Sequence, residues 1–205
     1  MKERPILFNV EMVRALLDGR KTMTRRVAKL NAAGRVQLPG SPHNWHCEDP
    51  DAWLACPYGQ PGDRLWVKER HSFNDIMKSA TPHCWLVDVE YSDGTERNIL
   101  AETKKPKLTR ERGEIGWRPS IHMPRWSSRI LLEITNVRVE HVQEISEEDA
   151  LNEGITYHDL PNNGLDPMRA RTWFRGLWET INAARGFGWD VNPWVWVVEF
   201  RIVEG

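Results

Sequence analysis

The first periodic segment of the chain predicts an amphipathic helix between residues 9 and 19. One face of this segment carries apolar side chains at helical spacing, namely Val10, Val13, Leu16 and Leu17. Asn9 suits the N-cap, because its side chain can accept a hydrogen bond from a free amide of the first turn. Gly19 stands where a helix commonly ends in a left-handed residue. The sequence therefore predicts both ends of this helix.

Further along, alternating and β-branched patterns predict strands. The predicted strands are Thr22–Val27, Arg64–Arg70, Cys84–Tyr91, Glu96–Ala101, Ser128–Val142 and Pro193–Val203. Ser92–Thr95 is typical of a hairpin turn, and the apolar pattern shifts at Thr135 and Asn136 as it does at a β-bulge. The last strand is apolar on both faces at its start, which favours a central position in a sheet.

Two more helices are predicted in the second half of the chain. Ser146 is an N-cap with an acidic residue three positions later, and Gly154 ends that short helix. Asp166-Pro167 opens a longer helix, which we expect to cover the sheet with one apolar face. That face comprises Ala170, Phe174, Leu177, Trp178 and Ile181.

Together these elements predict an α+β fold in a single domain spanning residues 1–205. Five to six mostly antiparallel strands would curl into a small β-barrel, with helices at its ends. The stretch from 28 to 62 shows no sustained period and is predicted to be a long loop.

Charge and hydropathy narrow the possible partners. The formal net charge is −1, so any contact with nucleic acid must be local. Two basic segments are candidates for contact with RNA, Arg20–Arg35 and Lys104–Arg112, although the second also fits a mobile charged loop. No apolar run is long enough to span a membrane, and the first residues do not form a signal peptide. We therefore expect a cytoplasmic protein.

Cysteine, histidine and tryptophan content bears on cofactors and ligands. The three cysteines are irregularly spaced, and neither a Cys-x2-Cys nor a His-x3-His pair supports a zinc site, so no metal or other cofactor is predicted. The chain has 11 tryptophans, most of which should lie in the core. Four of them fall in loop-like sequence, where they could stack on a nucleobase: Trp45, Trp53, Trp117 and Trp126.

The most unusual stretch of the chain follows the first helix. It reads Gly-Arg-Lys-Thr-Met-Thr-Arg-Arg from Gly19 to Arg26. The simplest structural interpretation is a helix C-cap whose cations lie at the negative end of the helix dipole. That interpretation does not account for the continuation, because the segment from 20 to 35 holds six basic residues and no acid. A solvated surface usually mixes both signs of charge.

This motif and its surroundings resemble the ASCH-domain family, a branch of the PUA-like β-barrels. The resemblance rests on Gly-x-Lys-Thr-x-Thr-x-Arg, a Pro-Gly-Asp turn before a strand, a short helix ending Glu-Gly-Ile, and a final Trp-Val-x-x-Phe strand. It covers residues 5–27, 61–69, 128–156 and 193–203. The length is similar to that of ASCH proteins in phages and prophages, with insertions at about 28–60, 70–127 and 157–192.

The resemblance implies an activity. Small bacterial members of the family are amidohydrolases that remove the acyl group from N4-acetylcytidine and related N4-acylated cytosine nucleosides. Their catalytic lysine, threonine and glutamate match Lys21, Thr24 and Glu153. The resemblance thus implies a metal-independent amidohydrolase of small modified cytidine nucleosides, with Arg20 and Arg26 beside the substrate and the four loop tryptophans against the base.

The residue types suit amide hydrolysis, which needs a nucleophile, a proton carrier and donors for an oxyanion. Thr24 would be the nucleophile, and Lys21 its base once burial and the neighbouring arginines lower its pKa. Glu153 would pass a proton to the leaving amine or activate water, and which of Thr24 and Glu153 handles the water stays open. Lys21 must precede the regular strand, since residues three apart in a strand face opposite ways.

Two other functions fit the same residues. PUA-like barrels commonly hold nucleic acid, so a module that binds RNA or DNA is one alternative. A ribonuclease that uses the same basic and hydroxyl side chains is the other.

Overall fold

The computed structural model describes residues 1–28, 56–102, 116–155 and 169–204. These ranges contain eight strands and three α-helices, which confirms the predicted α+β class. In chain order they are β1 (Glu3–Leu7), α1 (Val10–Leu17), β2 (Met23–Val27), β3 (Arg64–Lys68), β4 (His71–Lys78), β5 (Cys84–Tyr91), β6 (Glu96–Glu102), β7 (Leu131–His141), α2 (Glu147–Asn152), α3 (Arg169–Asn182) and β8 (Trp194–Glu204).

Five strands form the main sheet, in the order β1-β3-β7-β8-β2. Neighbouring strands are antiparallel except β1 and β3, which run parallel. The register between β7 and β8 shifts between Ile134 and Asn136, which confirms the predicted bulge. β1 and β2 lie at opposite edges, so the described strands form an open sheet rather than one closed barrel.

A second sheet of three strands, in the order β4-β5-β6, lies within the region predicted as an insertion. β5 and β6 pair as the predicted hairpin, whose turn places Gly94 at a φ of 88°. The prediction missed β1 and β4. β1 carries Pro5 and is an edge strand. The predicted strand Arg64–Arg70 ends at Lys68 in the structure, and β4 begins at His71 after a break of two residues.

β8 separates two hydrophobic cores, as expected of a central strand. One core packs against α1 and β1 and receives Trp196, Val198 and Phe200 from β8. The other lies under α2 and α3 and receives Val195 and Val197. Each fully buried side chain of this size contributes about 1.5–3 kcal/mol of transfer free energy, so both faces hold the strand in place.

The helix ends occur where the sequence predicts them. Asn9 Oδ1 accepts the Met12 amide at 2.8 Å, and Ser146 Oγ accepts the Asp149 amide at 3.0 Å. Gly154 has a φ of 100°, and a Cβ there would come within 2.8 Å of Ala15 Cβ. The end of α2 therefore packs directly on α1, and only glycine allows that approach.

α3 covers the sheet with part of its predicted apolar face. Its described residues begin at Arg169, so the predicted start at Asp166-Pro167 lies outside them. Ala170, Phe174 and Trp178 are buried, whereas Leu177 and Ile181 are 36% and 42% exposed. These last two side chains border a cavity instead. Within the described ranges, no helix combines the length and apolar character that a membrane span requires.

Candidate active site

The main chain brings Lys21 and Glu153 together. After α1 ends, the Lys21 amide donates to the Ala15 carbonyl at 2.9 Å, and Lys21 forms an isolated antiparallel bridge with Glu153. β2 starts only at Met23, so Lys21 precedes the regular strand, as expected. The Thr22 amide donates to the Asn152 carbonyl at 2.9 Å and extends the contact. Hydrogen bonds of the main chain thus hold the backbones of Lys21 and Glu153 side by side, independently of any contact between their side chains.

The two side chains form a buried ion pair. Lys21 Nζ donates to Glu153 Oε2 at 2.6 Å and to the Glu153 carbonyl at 2.8 Å. The two residues are 2% and 9% exposed. Burial lowers the pKa of Lys21 from its ordinary value; the Glu153 carboxylate opposes that change, and the charges of Arg26 and Arg25 add to it. The amine is therefore easier to deprotonate than that of an exposed lysine.

This lowered pKa predicts how stability depends on pH. Between the lowered pKa and 10.5, the unfolded chain binds more protons at Lys21 than the folded chain does. The free energy of unfolding should therefore rise with pH across this window, and Lys21→Met should remove that rise. Urea unfolding of both proteins at successive pH values measures the difference. A difference that stays constant with pH would contradict the lowered pKa.

Arg25 connects this pair to a network of carboxylates. Its fully buried side chain donates from Nη2 to Glu140 Oε1 at 2.6 Å and to Asp149 Oδ2 at 2.5 Å. Arg138 bonds the same two carboxylates at 3.0 and 2.6 Å. Because the guanidinium of Arg25 is held on this side, its remaining nitrogen lies in a fixed position 3.5 Å from Glu153 Oε1.

Glu153 Oε1 has no hydrogen-bond donor among the described residues, although it is buried. Arg25 Nη1 is too far away for a good hydrogen bond. Buried carboxylate oxygens are almost always satisfied, so an unsatisfied one beside a cavity is a candidate for binding or proton transfer. One oxygen of Glu153 is thus held by Lys21, and the other accepts no hydrogen bond from the described residues.

Thr24 lies on the opposite face of β2 from Arg25 and is fully buried. Its hydroxyl accepts a hydrogen bond from Arg26 Nη1 at 2.8 Å. The described contacts include no hydrogen bond between Thr24 and Lys21, so the predicted nucleophile and its predicted base are not directly linked here. Arg26 Nη2 also donates to the Leu7 carbonyl at 2.9 Å, which holds the guanidinium over the Phe8 ring.

A cavity of about 570 Å³ opens beside Glu153, between the start of α1, β2 and α3. Its volume lies in the range of small-molecule sites. Charged or polar side chains and aromatic rings share the wall: Glu153, Arg25, Arg26, Arg185, Asn9, Ser120, Phe8, Tyr58 and Trp178. Lys21 and Thr24 do not line it, but each is hydrogen-bonded to a residue that does, Lys21 to Glu153 and Thr24 to Arg26.

The other predicted binding residues lie elsewhere. Arg20 lies outside the cavity wall and donates to the Gly154 carbonyl at 2.6 Å, which ties the ends of α1 and α2 together. Trp126 stacks on Phe73 in the core of the second sheet, and Trp117 lies under Arg70. Neither borders the cavity. Trp45, Trp53, the segment Lys104–Arg112 and residues 29–35 lie outside the described residues.

Several wall residues were not predicted from the sequence. Phe8 and Asn9 follow Leu7, whose carbonyl accepts from Arg26, and so they reach the cavity from the link between β1 and α1. Arg185 reaches it because α3 ends in a tight turn. Tyr58 is half-buried, and burial raises the pKa of its hydroxyl while the nearby charge of Arg26 opposes this. The one local signal was an aromatic residue in a Pro-Tyr-Gly loop.

The described residues contain no set of side chains that could ligate a metal ion. Within the four described ranges, no three His, Cys, Asp or Glu side chains lie close enough to hold an ion. Cys56 and Cys84 are buried and free, and burial raises the pKa of the Cys56 thiol to about 11. That thiol is a poor nucleophile.

Comparison with known proteins gives matches in structure alone. No family model matches the chain, and no curated protein matches it. An ASCH domain from Lactobacillus crispatus JV V101 aligns with 100% of this chain and 81% of its own, at 12% identity and a TM-score of 0.42. A protein of the family DUF984 from Enterococcus faecalis V583 aligns with 93% of this chain and 66% of its own, at 10% identity and a TM-score of 0.39.

An ASCH domain is therefore among the solved structures that this chain resembles. Identity at this level concerns the fold alone, and TM-scores below 0.5 add nothing to an argument about activity. The chemistry must follow from the ion pair and the cavity.

Proposed function

We propose that this cavity hydrolyses the exocyclic amide of N4-acylated cytosine nucleosides such as N4-acetylcytidine. The observation that carries the proposal is the buried pair of Lys21 and Glu153, which ends in one unsatisfied carboxylate oxygen at the wall of a nucleoside-sized cavity. The substrate class follows the resemblance of the Lys-Thr-x-Thr-x-Arg segment and Glu153 to the catalytic residues of such amidohydrolases.

The reaction needs only groups that are present. Glu153 Oε1 accepts a proton from water while the water oxygen attacks the acyl carbon. The oxyanion that forms lies near the guanidinium groups of Arg25 and Arg26, which line the same wall. Glu153 then passes its proton to N4 as the carbon–nitrogen bond breaks, which releases cytidine and the carboxylic acid. Lys21 orients the carboxylate and balances its charge.

Thr24 has a different part in this scheme. Its buried hydroxyl bonds Arg26 and does not line the cavity, so it positions the guanidinium that faces the substrate. A nucleophilic Thr24 would require this hydrogen bond to break and the side chain to reach the acyl carbon. Water activated by Glu153 requires neither change.

The aromatic side chains suit a nucleobase. Phe8, Tyr58 and Trp178 contribute apolar surface around the charged groups, and a flat cytosine ring can stack on aromatic rings of this kind. Asn9, whose Oδ1 caps α1, offers its NH2 group as a donor to the polar edge of the base. The cavity thus combines a surface for the base with donors for the carbonyl.

Incubating the purified protein with N4-acetylcytidine tests the proposal. We expect cytidine and acetate to appear with multiple turnovers, with EDTA present, when the mixture is separated by reversed-phase chromatography. Recovery of unchanged N4-acetylcytidine at high enzyme concentration would contradict the proposal. N4-acetylcytidine within an RNA oligonucleotide, assayed in parallel, distinguishes a nucleoside from a polymer substrate.

Nucleic-acid binding and ribonuclease activity stay predictions. A filter-binding titration of single-stranded RNA over increasing salt separates binding from hydrolysis, because affinity that depends on phosphate contacts falls steeply with salt. Gel analysis of the same RNA detects strand cleavage.

A further inference from the structure

A second cavity, of about 690 Å³, lies between α1 and α3. Its wall is more apolar than that of the first cavity, and it includes Met12, Ala15, Ile155, Trp173 and Leu177. Trp173 and Leu177 are 43% and 36% exposed, so part of each apolar side chain stays in contact with solvent. Below we call this cavity the α1/α3 groove.

The α1/α3 groove shares three wall residues with the proposed site. Met12, Glu153 and Leu177 line both cavities. Glu153 therefore belongs both to the wall of the cavity that holds the arginines and to the wall of the more apolar groove. A substrate whose reacting carbonyl lies at Glu153 can place a polar part on one side and an apolar part on the other.

We propose that the α1/α3 groove binds the acyl chain of the substrate, and that the protein prefers linear acyl groups of medium length over acetyl. The proposal rests on the proposed function, in which the nucleoside occupies the other cavity. An acetyl group would leave the apolar wall uncovered. Each methylene group that the groove removes from water raises the binding constant roughly fourfold.

The charges around the groove restrict the chain to neutral groups. Among the described residues that line the α1/α3 groove, Glu11 and Glu153 are acidic and none is basic. A chain that ends in a carboxylate would face these two acids without a cation among those residues. The expected ligand is therefore an uncharged alkyl chain.

Comparing N4-acetylcytidine, N4-butanoylcytidine and N4-hexanoylcytidine tests the proposal. We expect kcat/KM to rise at least tenfold from acetyl to hexanoyl. Gly176 lines the groove, and a Cβ added there meets no atom within 4 Å, so Gly176→Leu is the variant chosen to fill the groove. This variant should lower kcat/KM for the hexanoyl substrate at least tenfold and change that for acetyl by less than twofold.

A matched control lies next to it on α3. Arg175 is exposed and does not line the groove, so Arg175→Leu should leave the order of the three substrates unchanged. Thr180 lines the groove and is exposed, so Thr180→Leu provides a second filling variant if Gly176→Leu does not fold. Equal kcat/KM for all chain lengths, or equal losses for acetyl and hexanoyl in a folded variant, would overturn the proposal.

Binding of simple amides separates this proposal from the hydrolase proposal. By calorimetry, hexanamide should bind at least tenfold more tightly than acetamide, and the filling variant should abolish the difference. If hexanamide behaves so while no acylcytidine is hydrolysed, the hydrolase proposal fails and the groove still binds an alkyl chain. If N4-acetylcytidine is hydrolysed but hexanamide binds no better than acetamide, the groove proposal alone fails.

Discussion

Glu153→Gln is expected to reduce amide hydrolysis roughly 10²–10⁴-fold, the usual contribution of a general acid or base. Glutamine has nearly the same shape and can still accept a hydrogen bond from Lys21 Nζ, which now lies 2.6 Å from the carboxylate. It cannot take a proton from water at Oε1, the oxygen without a donor. The loss should appear in kcat for N4-acetylcytidine. The circular dichroism spectrum of the variant should show that it is folded.

Glu148→Gln is the matched control, because Glu148 is an exposed carboxylate on the same helix, α2. This variant should keep the wild-type kcat. A Glu153→Gln protein with the wild-type kcat would contradict a proton-transfer role for Glu153, whatever happens to its stability.

The same assay decides the role of Thr24. Since its hydroxyl supports Arg26, Thr24→Val should reduce kcat/KM less than Glu153→Gln does. The neighbouring Thr22 is exposed, so Thr22→Val controls for the substitution itself. A loss as large as that of Glu153→Gln, together with a trapped acyl-enzyme ester, would instead make Thr24 the nucleophile.

Arg129→Met is expected to destabilise the protein by about 3–5 kcal/mol, the usual cost of breaking a buried ion pair. Arg129 donates to both oxygens of Glu69 at 2.8 Å and to Asp93 at 2.7 Å. The side chains of Glu69 and Asp93 are only 1% and 8% exposed. Burial raises the pKa of Glu69 even with Arg129 present, so removing the arginine leaves a carboxylate that is costly to charge.

Urea unfolding measures this cost, with Arg201→Met as its control. Arg201 also pairs with a carboxylate, Glu133, at 2.8 Å, but its side chain is 66% exposed. Removing an exposed pair changes the free energy of unfolding by at most about 1 kcal/mol. The deficit of Arg129→Met should shrink as pH falls and Glu69 becomes protonated. Equal effects of the two variants would show that the buried network contributes little.

Local patterns determined much of the fold from the sequence alone. The caps at Asn9 and Ser146 depend on residues three positions apart, and they are found as predicted. The two apolar faces of the last strand follow from its alternation, and the bulge at Asn136 from a shift in that pattern. The placement of Lys21 before the strand follows from the period of two along a strand.

Other features required the tertiary structure, because they depend on residues far apart in the chain. β1 is held by parallel pairing with β3, about 60 residues later, so its own sequence carries little signal. The motif presents three arginines that look alike in sequence. Packing directs Arg20 to the Gly154 carbonyl, Arg25 to a carboxylate network and Arg26 to Thr24 and the cavity.

The contact between Lys21 and Glu153 combines both kinds of information. The sequence, through its resemblance to a family, nominated the two residues and Thr24. Only the packing of α2 on α1 through Gly154 decided that Lys21 would be bonded to Glu153. Thr24 and Arg26 share one face of β2, which brings the Thr24 hydroxyl to the guanidinium. The packing of α1, α2 and α3 also placed two cavities beside the Glu153 carboxylate. Side-chain direction and cavity shape are decided by which elements touch, and a local pattern does not encode that.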